Sequence, residues 1–286
     1  MVTDMREELS TRGIVRQTDV YTREAIEQLN DALDDAFAAT SAEHRSYVGG
    51  DVLAALGLLD MVFSAPVRAA IDRLFPGGDA VLYHCHAYEV AGAQDRPHIR
   101  DRTLDGWHRD SETVAAYQQE VPVHVSMFTY LNDVGLDGGA FELVPLPPVR
   151  TPATGTPRVS VRGPAGTTFW WNRSYFHRAS PNRSPRRRRV LKLSLQSERL
   201  PNERIAGSEL GTAGEHAAAV ADPWLHARFG GPPAPAEFTT APSLEFSPLV
   251  ADGEIALTRV QTLGYTFAEA SRGALRRVRA LSGAPR

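Results

Sequence analysis

The sequence predicts a mainly β protein with flanking helices, and three observations carry that prediction. Apolar residues recur at helical spacing mainly in the first 75 or so of the 286 residues. Beyond them come short runs rich in Val, Tyr, Phe and Thr with strand-like alternation. Gly and Pro cut those runs apart at 138–139, 145, 147–148 and 163–164, which is the punctuation of a β-sandwich or barrel.

The elements follow in order. From Thr22, the residues Ile26, Leu29, Leu33 and Phe37 make one apolar helix face, with Glu24, Glu27, Asp31 and Asp34 between them. A second helix is expected over 53–63 and a third over 66–75, opened by Pro66 and closed by Pro76-Gly77-Gly78. Strands are expected over 80–90, 121–131, 141–144, 159–162, 167–172 and 190–196. On the first, His84, His86 and Tyr88 share a face and Cys85 takes the other; on the second, Val123, Val125, Met127 and Thr129 share a face. Residues 230–248, rich in Pro, Ala and Thr, read as a surface excursion, and a last helix is expected from Thr266 with Glu269 completing a capping box. The whole is expected to be one domain of 1–286: a helical part (1–78), a β core (79–200) and a C-terminal extension packing on it (201–286).

Composition narrows the function. A hydrophobic content of 42% and a charged content of 23% are ordinary for a globular protein. The net charge of −3 gives no reason to expect a polyanionic partner. No apolar run reaches the roughly 18 residues of a membrane span, and the N-terminus lacks the apolar stretch of a signal peptide. Cytoplasmic residence is therefore expected. The single cysteine, Cys85, excludes an internal disulfide and a multi-cysteine zinc site, so a metal here would be held by His, Asp or Glu.

Trp107-His108-Arg109-Asp110 supplies such ligands. In extended backbone, residues i and i+2 point to one side, so His108 and Asp110 can grip one ion together, with Arg109 facing away. His177 lies 67 residues beyond Asp110 and follows the apolar run Phe169-Trp170-Trp171. Two imidazoles and a carboxylate form a facial triad that leaves positions open and suits non-heme Fe(II). Eleven residues after His177 stands Arg188, within a run of four arginines. Alternation on the strand entering Val190 puts Arg186 and Arg188 on one face and Arg187 on the other, and the run alone also admits a nucleic-acid contact.

These motifs resemble the phytanoyl-CoA dioxygenase family of Fe(II)- and 2-oxoglutarate-dependent oxygenases. Trp107 to Asp110 is similar to that family's W-H-x-D. Tyr130-Leu131-Asn132-Asp133 followed by Asp137 to Pro145 resembles its L-x-D … N-G-x-L-x-x-x-P pair. His177, Pro181-Asn182-Arg183-Ser184 and Arg188 resemble H-x-x-x-P-N-x-S-x-x-x-R. The likeness spans about 80–200 and leaves 205–286 uncovered. One departure is the Leu146-Pro147-Pro148 that follows Pro145, where the family usually continues P-G-S-H.

The resemblance implies a double-stranded β-helix, or cupin-like jelly roll, with Fe(II), 2-oxoglutarate and O2 as cofactors. It implies His108, Asp110 and His177 at the metal, and Arg188 at the far carboxylate of 2-oxoglutarate, with His84 and Thr129 as further co-substrate contacts. His86, Tyr88 and Trp107 are expected to contact substrate. Related halogenases lack the carboxylate ligand, so Asp110 points to hydroxylation or another oxidation such as cyclisation. A chain rich in Arg and Ala with one lysine, Lys192, suggests a GC-rich genome, and hence a tailoring oxygenase of antibiotic or other secondary-metabolite biosynthesis acting on a small molecule. The alternatives are an oxygenase acting on nucleic acid or protein, and a non-catalytic jelly-roll binding protein.

Overall fold

A computed structural model describes residues 4–40, 44–78, 80–97, 106–109, 124–145, 152, 155–197 and 222–225. Among these residues, five helices and nine strands run in the order α1 (Met5–Thr11), β1 (Ile14–Gln17), α2 (Arg23–Ala39), β2 (Arg45–Val48), α3 (Gly50–Ala55), α4 (Leu59–Val62), α5 (Ala65–Leu74), β3 (Ala80–Val90), β4 (His124–Tyr130), β5 (Phe141–Leu143), β6 (Val159–Val161), β7 (Thr168–Asn172), β8 (His177–Ala179) and β9 (Arg188–Ser197).

Helix α2 forms where the apolar period predicts it. The Thr22 side chain accepts from the Ala25 backbone N–H at its N-terminus, and Ile26, Leu29, Leu33 and Phe37 are its buried face. The expected single helix over 53–63 is two. Leu58 N–H bonds to Leu53 C=O and Gly57 N–H to Ala54 C=O, a Schellman stop that needs Gly57 at φ +70°. Helix α5 starts with Pro66 in its first turn. The N-terminal part is also less purely helical than expected: β1 and β2 add strands to the two edges of the main sheet.

That sheet has six antiparallel strands in the order β1-β7-β4-β9-β3-β2, and β6-β5-β8 form a second sheet. The fold is mainly β with flanking helices, a jelly roll. Helix side chains pack with Leu82, Cys85, Ala87, Val125, Met127, Trp170, Leu191, Leu193 and Leu195 on the outer face of the large sheet. Between the sheets lies a second cluster of Tyr88, Val90, Phe128, Tyr130, Phe141, Leu143, Phe169, Trp171 and Val190. Leu82 and Cys85 share a face because the β3–β9 register shifts between Leu82 and His84, a bulge that flips the side-chain parity. Tyr130 links the layers: its hydroxyl donates to Val161 C=O and accepts from Phe141 N–H. Burial raises its pKa to about 12.

From the C-terminal extension, residues 222–225 dock on the helices. Arg68 pairs with Asp222 at 2.6 Å, the Trp224 indole N–H donates to Asp72, and Leu225 is fully buried. The helix expected from Thr266 and the segment 230–248 lie outside the described residues. No helix among the described residues is long and apolar enough to cross a membrane.

Truncating Leu29, fully buried on α2, to Ala should cost about 2–5 kcal/mol. Urea unfolding followed by circular dichroism measures this, and Glu27→Ala on the exposed face of the same helix should shift the midpoint little.

Candidate metal centre and co-substrate pocket

His108 and His177 form an isolated antiparallel bridge. Each backbone N–H donates to the other's carbonyl, at 3.0 and 2.9 Å, so both side chains emerge on the same side. Their rings are 4.2 Å apart, centroid to centroid, and both residues are buried. Each Nδ1 faces the carbonyl oxygen two residues back, Gly106 for His108 at 2.9 Å and Tyr175 for His177 at 3.0 Å. A ring nitrogen facing a carbonyl carries the proton, so the lone pair sits on Nε2, the tautomer a metal ligand needs. Phe141 stacks on His177 at 5.6 Å and Trp171 lies 4.1 Å from it, centroid to centroid. Asp110 lies outside the described residues, and among those described no three ligating side chains cluster.

Alternation sends the neighbours of these histidines the other way. Arg109 sits over Phe176 at 4.8 Å, away from the ligand side as expected. Trp107 stacks with Arg178 at 4.7 Å, and Arg178 pairs with the buried Glu142 at 2.8 Å. Trp107, expected at the substrate, therefore faces Arg178, a neighbour of His177 on the other side of the bridge.

The arginine run divides among different environments. Arg186 is exposed. Arg187 and Arg189 pair with Glu89 at 3.8 and 2.7 Å, and Arg189 also pairs with Asp34. Arg188 turns into the barrel and is only 3% exposed. One of its terminal nitrogens donates to Gly139 C=O, while Nε and Nη2 have no hydrogen-bond partner among the described residues. A buried guanidinium with two unsatisfied donors fits a carboxylate. Gly139 reaches it at φ +71°, where an added Cβ would come within 2.9 Å of the Asn182 Cβ.

Two residues that sequence reasoning did not single out hold Arg188 in place. The Asn132 side chain accepts from Arg189 N–H and donates to Arg187 C=O, bracketing the arginine. Asn182 donates to Ala91 and Arg186 carbonyls, tying the preceding turn to β3. Both stand in the quoted motifs, which was the available signal.

The remaining expected residues separate. Tyr88 lies beside Arg188, the guanidinium carbon 5.8 Å from its ring centre. His84 instead pairs with Ser194, six residues further along β9, and its Nδ1 meets the Ser194 hydroxyl at 3.3 Å. His86 stands between them, 5.3 Å from the His84 ring and 5.9 Å from Tyr88. Thr129 lies on the helix-side face, bonded to Thr168; on β4 the barrel side belongs to Ser126, Phe128 and Tyr130.

The family described as Phytanoyl-CoA dioxygenase (PhyH) matches residues 10–190. No curated protein sequence matches the chain. Among solved structures it is similar to the non-heme α-ketoglutarate-dependent epimerase SnoN from nogalamycin biosynthesis, at 17% identity and a TM-score of 0.50 over 66% of this chain and 80% of that one. It is also similar to EctD from S. alaskensis with 2-oxoglutarate and 5-hydroxyectoine, at 14% identity and a TM-score of 0.50 over 66% and 74%. At these identities the structures speak to fold, and the family match spans well over half the chain.

Burial, then the charges of Lys192, His86 and Arg45, hold His84 well below the usual imidazole pKa. The unfolded chain protonates this residue near pH 6.5, the folded protein only at lower pH, so acidification through about pH 6.5 and below costs stability. In urea unfolding at pH 7.5 and pH 5, His84→Gln should lose less stability on acidification than the parent. An equal loss would mean that His84 titrates normally.

Proposed function

The chain belongs to the phytanoyl-CoA dioxygenase family of non-heme iron, 2-oxoglutarate-dependent dioxygenases, and we propose that it oxidises a small molecule in a tailoring step of secondary-metabolite biosynthesis. The enzyme class and the cofactors, Fe(II), 2-oxoglutarate and O2, follow from the family. Iron held by the chain would activate O2: one oxygen atom would enter succinate as 2-oxoglutarate loses CO2, and the other would carry the oxidising equivalents used on the substrate.

Our reading assigns iron to His108, Asp110 and His177, and the far carboxylate of 2-oxoglutarate to Arg188. The observation that carries it is the pair of facing, backbone-anchored imidazoles together with an arginine that has two orphaned donors and is held at Gly139, two residues before the Phe141 that stacks on His177. The residues of this chain then do three things. The carbonyls of Gly106 and Tyr175 fix both ring tautomers. Trp171 and Phe141 close off the side of His177 and keep water from it. Arg188, held at Gly139 and bracketed by Asn132, orients a dicarboxylate toward the histidines. The tailoring role draws support from the Arg-rich, Lys-poor composition and from the fold shared with an epimerase of nogalamycin biosynthesis. Asp110 favours hydroxylation, cyclisation or epimerisation over halogenation.

Anaerobic addition of Fe(II) and 2-oxoglutarate should give a weak visible charge-transfer band, and its absence at saturation would sink the assignment. His177→Ala should abolish the band in a protein that still folds. Arg188→Ala should raise the 2-oxoglutarate concentration for half-maximal band intensity by roughly tenfold or more, the loss of charged hydrogen bonds. Arg186→Ala should leave it unchanged.

A further inference from the structure

The candidate metal centre has an oxidisable ring of the chain's own against it. Trp171 lies 4.1 Å from the His177 ring, centroid to centroid, and Phe141 lies 5.6 Å from it. Both belong to the cluster between the two sheets. Trp171 is 1% exposed and packs on Phe128 and Phe141 at 5.6 and 5.0 Å, centroid to centroid. Its indole N–H is buried with no hydrogen-bond partner among the described residues, so packing, and no hydrogen bond, holds the ring at the histidine.

The other three of the four tryptophans stand elsewhere. Trp170, the neighbour of Trp171 on β7, takes the opposite face of the sheet. There it packs in the helix-side cluster, and its indole N–H donates to Gln17 at 2.6 Å. Trp107 stacks with Arg178, and Trp224 donates to Asp72 on α5. Strand parity thus sets one of two adjacent indoles beside the histidine and the other behind the sheet.

This placement matters for an oxygenase. Indole is more electron-rich than the phenyl ring of Phe141 and is oxidised more readily. A ring already held beside the reacting atoms also competes through proximity with any molecule that must arrive by diffusion. When no substrate fills the cavity, Trp171 is the electron-rich ring that the chain itself presents at His177.

We propose that Trp171 is a site of self-hydroxylation, gaining one oxygen atom on its indole when the protein consumes 2-oxoglutarate and O2 without substrate. One atom of O2 enters succinate as 2-oxoglutarate loses CO2. The other is inserted into a ring C–H bond, which becomes C–O–H. Half of the electrons that O2 takes up come from 2-oxoglutarate and half from the indole, so no further reductant enters. The inference rests on the oxygenase reading above, because it places iron on His177.

The main test uses the unaltered protein. Loaded with Fe(II) and saturating 2-oxoglutarate, it is first checked anaerobically for the charge-transfer band; absence of the band would count against the oxygenase reading and not against Trp171. Air is then admitted without substrate, and the protein is digested with trypsin. Residues 163–173, between Arg162 and Ser174, form one tryptic peptide that carries both Trp170 and Trp171. Fragment masses should place one added oxygen on Trp171 in about tenfold or greater excess over Trp170, and samples without 2-oxoglutarate should lack it. With the band present, a peptide that gains no oxygen, equal gain on the two tryptophans, or the same gain without 2-oxoglutarate would overturn the proposal. A second measurement involves no turnover. Anaerobic Fe(II) should quench the tryptophan emission. Trp171→Phe, which keeps an aromatic ring beside His177, should lose most of that quench in protein that still gives the band. A quench undiminished in this variant would mean that Trp171 does not border the metal, and would equally overturn the proposal.

Discussion

The large sheet is buried on both faces, and strand side chains alternate between them; this constraint sets the position of nearly every residue in the candidate site. One face packs leucines and valines under the helices and the other faces the barrel. A residue's parity along β3, β4 or β9 therefore decides whether it serves stability or chemistry. On β9 the sequence Arg188-Arg189-Val190-Leu191-Lys192-Leu193 places Arg188 and Lys192 in the barrel, and Leu191 and Leu193 in the helical core. Arg189, of the other parity, finds Glu89 and Asp34. A single-residue slip of this strand would bury leucines among the polar groups and drive two cations into hydrocarbon. The Asn132 clamp on the backbone of 187 and 189 guards that register where it matters most.

The same alternation explains how far the site was legible. The helical period of α2, the strand β3 with His84, His86 and Tyr88 together, and the inward turn of Arg188 all follow from local patterns. Thr129 shows the limit. Its companions Val125 and Met127 were correctly grouped with it, but a strand buried on both sides does not say which face is the cavity. Only pairing with Leu191 and Thr168 settles that. Trp107 turns from the imidazoles for a related reason: adjacency in sequence to His108 in extended backbone means opposite sides of the chain. The strands β1 and β2 are four residues each, too short to impose a period, and they lie among helical patterns.

Charge placement divides the same way. Among the described residues, two buried carboxylates are paired with arginines other than Arg188: Glu89 with Arg189, and Glu142 with Arg178 and Arg158. Leaving a buried cation without a counter-charge costs roughly several kcal/mol. A fold that accepts this at Arg188 while pairing its neighbours concentrates the penalty at one place, where a ligand's binding energy removes it. On the proposed reading, the unsatisfied donors of Arg188 would form a preformed anion site with little protein-side reorganisation, since Gly139 holds the guanidinium and Asn132 brackets its backbone.

The histidine pair works by a comparable logic, with backbone in place of side chains. Because His108 and His177 exchange both main-chain hydrogen bonds, their relative position is set by peptide geometry rather than by rotamers. Their Nδ1 contacts to residues two positions earlier then leave little freedom about the remaining torsion. Such a bridge joins two segments 69 positions apart in sequence, so closing the barrel and assembling the two imidazoles are the same event. The geometry of the two imidazoles is then as stable as the pairing that carries it, and loss of that pairing would displace them before it was felt in the helical core.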